Sequence, residues 1–134
     1  MSQDKLHLKV VTPTRVAAEA DADEVWLPGA LGEIGILPGH APLLAALRIG
    51  ELGYRAGTRE HHLAIQWGFV EVAADAVTVL ADVAELPAEI DVERAQAEKR
   101  SAEEALKTAA GGEFDRQRAH LEAAVTRIAV ASRR

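Results

Sequence analysis

The chain has 134 residues, of which 49% are hydrophobic and only 4% aromatic, enough for an aliphatic core in one domain or in a small domain with an appendage. It contains no cysteine, which excludes disulfides and thiolate metal sites, and its net charge of −6 disfavours nucleic acid as the main partner. No apolar run approaches the roughly 20 residues of a membrane span, and residues 1–5 lack the layout of a secretory leader, so we expect a soluble cytosolic protein without direct membrane insertion.

The first half of the chain has the pattern of short strands. Apolar and polar residues alternate in three segments, namely 6–10, 63–72 and 77–83. Residues 25–27 form a further short apolar segment, which Pro28-Gly29 stops. In the segment 63–72 Trp67 shares a face with Leu63 and Ile65 before Gly68 interrupts, which favours a place in the core or in a subunit interface. Because no helix-length segment separates these strands, we predict an antiparallel β-sandwich, with a barrel as the alternative.

The hydrophobic period becomes helical after Pro87. Asp91 is placed to accept the free amide hydrogens of a first helical turn. Gly111-Gly112 breaks this helix, and a second helix follows. The predicted apolar stripe of the second helix contains Phe114, Leu121, Val125 and Ile128. The sequence therefore predicts a two-domain α+β protein, with a β-sandwich over residues 1–87 and an antiparallel helical hairpin over residues 88–134.

The predicted hairpin has seven large apolar residues, and most of its other stripe positions are alanines. Burying the large side chains yields on the order of 10–20 kcal/mol. Ordering roughly 35 residues costs about 1–2 kcal/mol each before helix bonding offsets part of it. We therefore expect these helices to dock on the sandwich or on a partner. A hairpin held so weakly is either a conformational switch or merely a frayed tail. Charge also separates the parts, since residues 1–90 carry six Lys/Arg and 13 Asp/Glu, and residues 91–134 nine and eight.

Patterns of common catalytic sites are absent from the sequence. The Gly-rich segment 29–39 has neither the Lys-Ser/Thr nor the following helix of a phosphate loop, so its glycines are predicted to form turns. The adjacent His61 and His62 point to opposite faces of a strand and cannot chelate one metal together. We expect these two, like His7 and His120, at the surface. Serine occurs only at positions 2, 101 and 132, which argues against a small hydrolase.

Residues 32–44, GEIGILPGHAPLL, resemble the G-E-x-G-I-x-P-G-H-x-P-L stretch of the epsilon subunits of bacterial F-type ATP synthases. Other segments agree with that family in order and sequence: LKVVTP (8–13), GFVEV (68–72), VTVLADVA (77–84), IDVERA (90–95) and RIAV (127–130). The resemblance covers nearly the whole chain. It departs at Trp67-Gly68, where the family usually has Gly-Gly.

The resemblance implies a non-catalytic rotor subunit that requires no cofactor and couples proton-driven rotation to ATP synthesis. In the family the sandwich contacts the gamma subunit and the c-ring. The helices either fold on the sandwich or extend toward the alpha and beta subunits, where they inhibit ATP hydrolysis. A peripheral location at the cytoplasmic face of the bacterial plasma membrane is also implied. A free-standing nucleotide sensor of the same architecture is the alternative function.

The resemblance also suggests site residues. Glu33 and His40 match positions in loops that face the c-ring, although a solvated carboxylate and a histidine bonded to local backbone are the alternatives. Some family members bind ATP in the folded hairpin. The resemblance implies that the matching ATP-binding residues of this chain are Glu85, Ile90, Asp91, Arg94, Ala95, Arg116 and Arg127. Ser101 and Ala123 stand where that site has two further arginines, and arginine gives charge-assisted contacts to phosphate. We therefore expect ATP to be at most a weak regulatory ligand.

Overall fold

The computed structural model describes residues 4–133. Residues 1–3 and 134 lie outside the described residues, although the domain predictions include them and the leader prediction rests partly on the first three. Eight strands precede a short 3-10 helix (Pro87–Glu89) and two α-helices. The elements are β1 (Leu6–Val11), β2 (Val16–Ala22), β3 (Glu24–Gly29), β4 (Gly32–Ile36), β5 (Leu43–Leu47), β6 (Gly50–Ala56), β7 (Arg59–Ala73), β8 (Ala76–Glu85), α1 (Val92–Leu106) and α2 (Gly111–Ala131).

The strands form one sheet in the order β2-β1-β8-β7-β5-β3-β4, folded over a single core, with β6 paired to β3 and β7. The predicted class, a β-sandwich followed by a helical hairpin, is confirmed. Strand pairing is antiparallel with one exception, because β1 runs parallel to β8, with His7 beside Ala76 and Val11 beside Leu80. A parallel pair needs a long crossover connection, and here the rest of the sandwich provides it.

The sandwich core is aliphatic, as the composition predicts. Alternating residues of β1, which are Leu6, Leu8 and Val10, are fully buried. Ile36 at the end of β4 is also buried, whereas the neighbouring Leu37 is 55% exposed because the strand has ended there. The large residues that fill the remaining centre of this core include Leu27, Leu52, Leu63, Ile65, Val70, Val72 and Val77.

Strand β7 changes its inward face at Trp67 and Gly68. Before this point the odd-numbered Leu63 and Ile65 are buried, and after it the even-numbered Val70 and Val72 are. The reversal requires an unusual backbone, with φ of +53° at Trp67 and +143° at Gly68. A Cβ atom on Gly68 would lie 1.9 Å from the carbonyl oxygen of Leu80, so only glycine fits there. The core alternative for Trp67 is therefore wrong, because the kink turns its side chain outward, where it is 48% exposed.

The two helices pack through alanines. Asp91 caps α1 as predicted, since its Oδ1 accepts a hydrogen bond of 3.1 Å from the Arg94 amide. The predicted stripe of α2 is wrong in part, because Phe114 and Val125 are 39% and 46% exposed. The buried residues of the pair are Ala95 and Ala102 on α1 and Ala124, Val130 and Ala131 on α2. Most of the buried positions of the two helices are therefore alanines rather than the bulkiest residues.

Candidate functional site

A small apolar joint connects the hairpin to the sandwich. Val130 and Ala131, at the end of α2, pack with Ile90 against Ala64 on the outer face of β7. Val92, in the first turn of α1, is partly buried against the same cluster. Few atoms hold the hairpin down by apolar contact alone, because two of the four buried members are alanines.

Arg127 ties three elements together beside this joint. Its Nε lies 2.9 Å from Oε1 of Glu85 at the end of β8, and its Nη2 donates a hydrogen bond of 3.2 Å to Oε2 of the same residue. Its Nη1 donates a bond of 2.7 Å to Oε1 of Glu98 on α1. The Arg127 side chain is only 17% exposed, so water screens these pairs less than it screens a surface salt bridge.

A second pair of charges holds the end of α2. Arg133 donates to Oε1 of Glu51 on β6, at 3.1 Å from Nε, and its Nη2 lies 3.0 Å from the same oxygen. The Nδ1 atom of His62 lies 2.7 Å from the same oxygen. His62 is only 7% exposed, so its predicted surface position is wrong. Burial follows from its place on β7, where the Glu51 carboxylate and the Trp26 ring edge, 6.1 Å between centroids, cover it.

A bidentate ion pair fixes the segment between the sandwich and the helices. Arg15 donates to Glu89 from Nη1 at 2.6 Å and from Nη2 at 2.7 Å, and Nη2 also reaches the Ala84 carbonyl at 2.9 Å. The Leu86 amide donates a further bond of 2.8 Å to Glu89. The Arg15 guanidinium, and secondarily the Leu86 amide, lower the pKa of Glu89 from its ordinary 4.5 to about 2. The linker is thus tied to the sandwich at neutral pH.

The structure brings only some of the predicted ATP residues together. Ile90 is buried just before α1, Asp91 caps that helix, Ala95 is buried in its first turn, and the Arg94 side chain is exposed. Glu85 and Arg127 contact each other. Arg116 lies 11 residues from Arg127 on α2, about 16 Å along the helix axis, and pairs with the exposed Glu113 of its own first turn.

A cleft of about 300 Å³ opens between the helices and β7. Ser101 and Ala123, which stand where the family's ATP site has two arginines, both line it. Among the described residues, Arg127 is the one arginine or lysine that lines this cleft. The carboxylate of Glu98 lies beside it. The other residues of the lining are Gln66, Ala102, Gln117, His120 and Ala124.

The two residues assigned to the c-ring lie in separate segments. Glu33 is exposed on β4, paired across the ladder with Pro28, next to Leu31, which is fully exposed at the β3–β4 turn. His40 is half-buried after β4, and its Nδ1 lies 2.7 Å from the carbonyl oxygen of Ala41. This bond to local backbone is the alternative that the sequence left open. No hydrogen bond or ion pair joins Glu33 to His40 within residues 4–133.

An exposed apolar patch, which sequence reasoning missed, covers the outer face of β5, β7 and β8. It consists of Leu44, Trp67, Phe69 and Leu80, which are 48–73% exposed. Phe69 stands directly opposite Leu80 on one side and Ala46 on the other. The sequence did contain a sign of this patch. Phe69 and Leu80 occupy outward positions of their strands, where a sheet face exposed to water usually has polar residues.

Neither a metal site nor a membrane-spanning helix is found in the part of the chain that the structure describes. Across residues 4–133 no three His, Asp or Glu side chains are grouped so that they could hold a metal ion. Within the same range no helix is both long enough and apolar enough to cross a bilayer.

A β-sandwich with an exposed apolar patch, followed by a helical hairpin held by few contacts, has the features of a protein that binds other protein chains. Residues 5–87 match the family described as ATP synthase, Delta/Epsilon chain, beta-sandwich domain, and residues 88–132 match the corresponding long alpha-helix domain. The chain belongs to this family. It is an epsilon chain of an ATP synthase, an accessory subunit rather than a catalytic one.

Curated relatives and solved structures agree. The ATP synthase epsilon chain of Citrifermentans bemidjiense is 46% identical over 97% of this chain and 96% of its own, and epsilon chain 2 of Syntrophotalea carbinolica is 45% identical over 96% and 95%. A chain of the Euglena gracilis mitochondrial ATP synthase (OSCP/F1/c-ring, rotational state 1) has a TM-score of 0.78 at 20% identity, over 88% of this chain and 76% of that one. A chain of the Tetrahymena thermophila mitochondrial central stalk and c-ring has a TM-score of 0.59 at 16% identity, over 98% and 97%. At such low identities these two likenesses concern the fold alone.

Proposed function

We propose that this epsilon chain binds the gamma subunit through its apolar patch, contacts the c-ring through the Glu33 and His40 segments, and inhibits ATP hydrolysis when its helices extend toward the alpha and beta subunits. The observation that carries the proposal is the contrast between the two domains. The sandwich has a continuous buried core and a bare apolar face, whereas the hairpin rests on a few side chains.

The apolar patch supports the gamma contact. Exposed large side chains that adjoin one another on a sheet mark interaction surfaces, whereas single ones are ordinary. Of the large apolar residues exposed within residues 4–133, Leu44, Trp67, Phe69 and Leu80 form one contiguous group. A subunit that turns with a shaft needs such a firm apolar contact, because polar rim contacts alone contribute little affinity.

The β3–β4 turn and the segment after β4 support the c-ring contact. Leu31 is fully exposed and lies next to an open groove formed with β5, lined among others by Glu33 and Leu44. The turn before His40 is held in place, because the Gly39 amide donates a bond of 2.8 Å to Oδ1 of Asp75. A fixed, partly apolar tip with a carboxylate suits a contact with the polar loops of a ring at the cytoplasmic face of the plasma membrane.

The weak docking of the hairpin supports its regulatory role. The joint of Ala64, Ile90, Val130 and Ala131 buries little surface, and the ion pairs of Arg127 and Arg133 supply much of the remaining attraction. A ligand or partner that contributes a few kcal/mol can shift such an equilibrium between a docked and an extended state. Phe114 and Val125, exposed in the docked hairpin, become contacts for the catalytic subunits when it extends.

ATP is at most a weak ligand of the docked hairpin under this proposal. Glu85 and Glu98 already neutralise Arg127, and Ser101 and Ala123 bring no charge to the cleft between the helices. A triphosphate entering there would compete with two carboxylates for a single guanidinium, which disfavours tight binding.

Co-expression of the chain with its gamma subunit tests the leading function. The parent chain is expected to co-purify with gamma, and Phe69→Glu, which places a carboxylate in the patch, is expected to abolish co-purification. Val16→Glu is the matched control, since Val16 is 49% exposed but lies on β2, outside the patch. A parent chain that elutes alone would instead support a free-standing sensor.

A further inference from the structure

One residue of the apolar patch has a backbone conformation that its side chain disfavours. Trp67 has φ of +53°, in the left-handed region that bulky residues rarely adopt and glycine adopts freely. The kink of β7 does not require tryptophan at this position, because the close approach to β8 is made by Gly68. A glycine at residue 67 would keep the kink and remove the strain.

The strained side chain gains little from contacts within the chain. Its indole is 48% exposed, although tryptophan is the residue with the most to gain from burial. Backbone strain persists at ligand clamps and interfaces, where the side chain so presented has a role. Trp67 is therefore better explained by what it does in a complex than by the stability of the isolated sandwich.

The surroundings of Trp67 have the form of a receptor for a partner. A shallow groove of about 540 Å³ runs between the β1–β2 turn, β5 and β8, and Trp67 and Phe69 line it together with Pro13, Leu47 and Leu80. The charged side chains that line this groove and the adjoining one are the carboxylates Asp82 and Glu71. The complementary surface is thus apolar with a basic rim.

The neighbouring part of the same sheet face is already covered. Ala64, three residues before Trp67 on β7, lies under Val130 and Ala131 of α2, and Gln66 lines the cleft between the helices. The docked hairpin therefore stops short of Trp67, and the bare part of the face is left for another chain.

We propose that Trp67 is the anchor that gives this chain its affinity and specificity for the gamma subunit, whose matching surface presents an apolar pocket with a basic rim. The inference rests on the proposed function and deepens it. Aromatic anchors in apolar pockets dominate the affinity of many interfaces, and tryptophan is the most enriched of them. The strain at residue 67 is tolerated because the complex repays it.

Binding of purified gamma to three variants of the full chain tests the proposal. Trp67→Gly is expected to weaken gamma binding by about 10- to 100-fold, as loss of an interface hot spot does, and Trp67→Phe to weaken it less. Trp67→Gly is also expected to unfold at a urea concentration no lower than the parent. Val16→Ala, which removes an equally exposed side chain outside the patch, should leave the affinity unchanged.

Fluorescence supplies a second measurement that needs no change at residue 67. In a Trp26→Phe background the emission comes from Trp67 alone, because the chain has two tryptophans. Gamma is expected to shift this emission to the blue as the indole leaves water. Unchanged emission with gamma bound, or affinity of Trp67→Gly within about threefold of the parent, overturns the inference while the gamma contact stands. Failure of the parent to bind gamma overturns both.

Discussion

Arg127 on the second helix and Glu85 at the end of the sandwich lie 42 residues apart in sequence and form an ion pair of 2.9 Å that joins the two domains. The same guanidinium reaches Glu98 on the first helix. One side chain therefore couples the pairing of the helices to their docking. Loss of this contact is expected to loosen both at once.

Replacing Arg127 with alanine should release the hairpin from the sandwich. It leaves Glu85 and Glu98 without the cation that they share, and we expect a destabilisation of the docked hairpin of about 1–3 kcal/mol. Amide hydrogen exchange is the measurement, with protection lost in α1 and α2 and retained in the strands. Arg116→Ala is the control, because it removes only an exposed pair within one turn. Equal protection in both variants would contradict the expected role.

Gly68 is expected to be the least replaceable glycine of the sandwich. In Gly68→Ala the added Cβ meets the Leu80 carbonyl oxygen at 1.9 Å, and φ is +143°. Together these effects should reduce the free energy of unfolding by about 3 kcal/mol or more. Gly35→Ala on β4 is the comparison, because nothing lies within 4 Å of its added Cβ. Urea denaturation of both variants measures the difference, and similar midpoints would show that the kink is not constrained in this way.

The Arg15–Glu89 pair should make the linker sensitive to acid. The pKa of Glu89 is lowered to about 2, so its stabilisation is complete above the ordinary pKa of 4.5 and is lost as the pH falls from 4.5 toward 2. Both side chains are more than a third exposed, so solvent screening limits the contribution to about 1 kcal/mol. Thermal unfolding of Arg15→Gln and the parent should therefore differ at pH 7 and converge near pH 2. A difference in thermal stability that persists at pH 2 would show that something other than this charge pair causes the difference.

Tight ATP binding should be absent in the parent and gained by adding cations to the cleft. Calorimetric titration of the purified chain is expected to give an affinity weaker than micromolar. The double variant Ser101→Arg/Ala123→Arg supplies two guanidinium groups beside Arg127 and is expected to bind ATP at least about tenfold more tightly. The matched Ser101→Gln/Ala123→Gln variant adds similar bulk without charge and should not gain affinity. Micromolar binding by the parent would refute the expectation.

Removal of residues 88–134 should separate the two roles of the chain. A complex carrying the truncated chain is expected to assemble and couple normally, because the sandwich core and the patch are intact, and to hydrolyse ATP faster. Arg127→Ala in the full chain should act in the opposite direction, since a loosened hairpin extends more readily and inhibits more. Steady-state ATP hydrolysis measures both. Equal rates for the truncated and full-length complexes would remove the inhibitory role and leave the coupling role in place.

Local pattern predicted the elements that have strong periodicity of their own. Leu6, Leu8 and Val10 alternate along a strand buried on one side, and Asp91 begins α1 as its cap. Strands such as β2, with the sequence VAAEADA, were missed because alanines and carboxylates give little alternation. The parallel pairing of β1 with β8 depends on the whole sandwich, and no short window of sequence encodes it.

The site was less predictable than the fold, because long-range contacts define it. Trp67 was placed on the face of Leu63 and Ile65 because periodicity takes no account of a positive φ. The buried face of α2 was misjudged because large residues were favoured over the small Ala124 and Ala131, which are the ones buried. No local pattern pairs Arg127 with Glu85 and Glu98, because the three residues lie far apart in sequence and only the tertiary fold brings them together.

The strand that leads into the helices is an interior strand of the sheet, with β1 hydrogen-bonded along one side and β7 along the other. Force applied to the hairpin therefore enters the sheet as shear along two ladders at once, and such a load is shared by many bonds. An edge strand under the same pull would peel away one bond at a time. A pull on the hairpin is therefore expected to separate the helices from the sandwich before it unravels the sandwich itself.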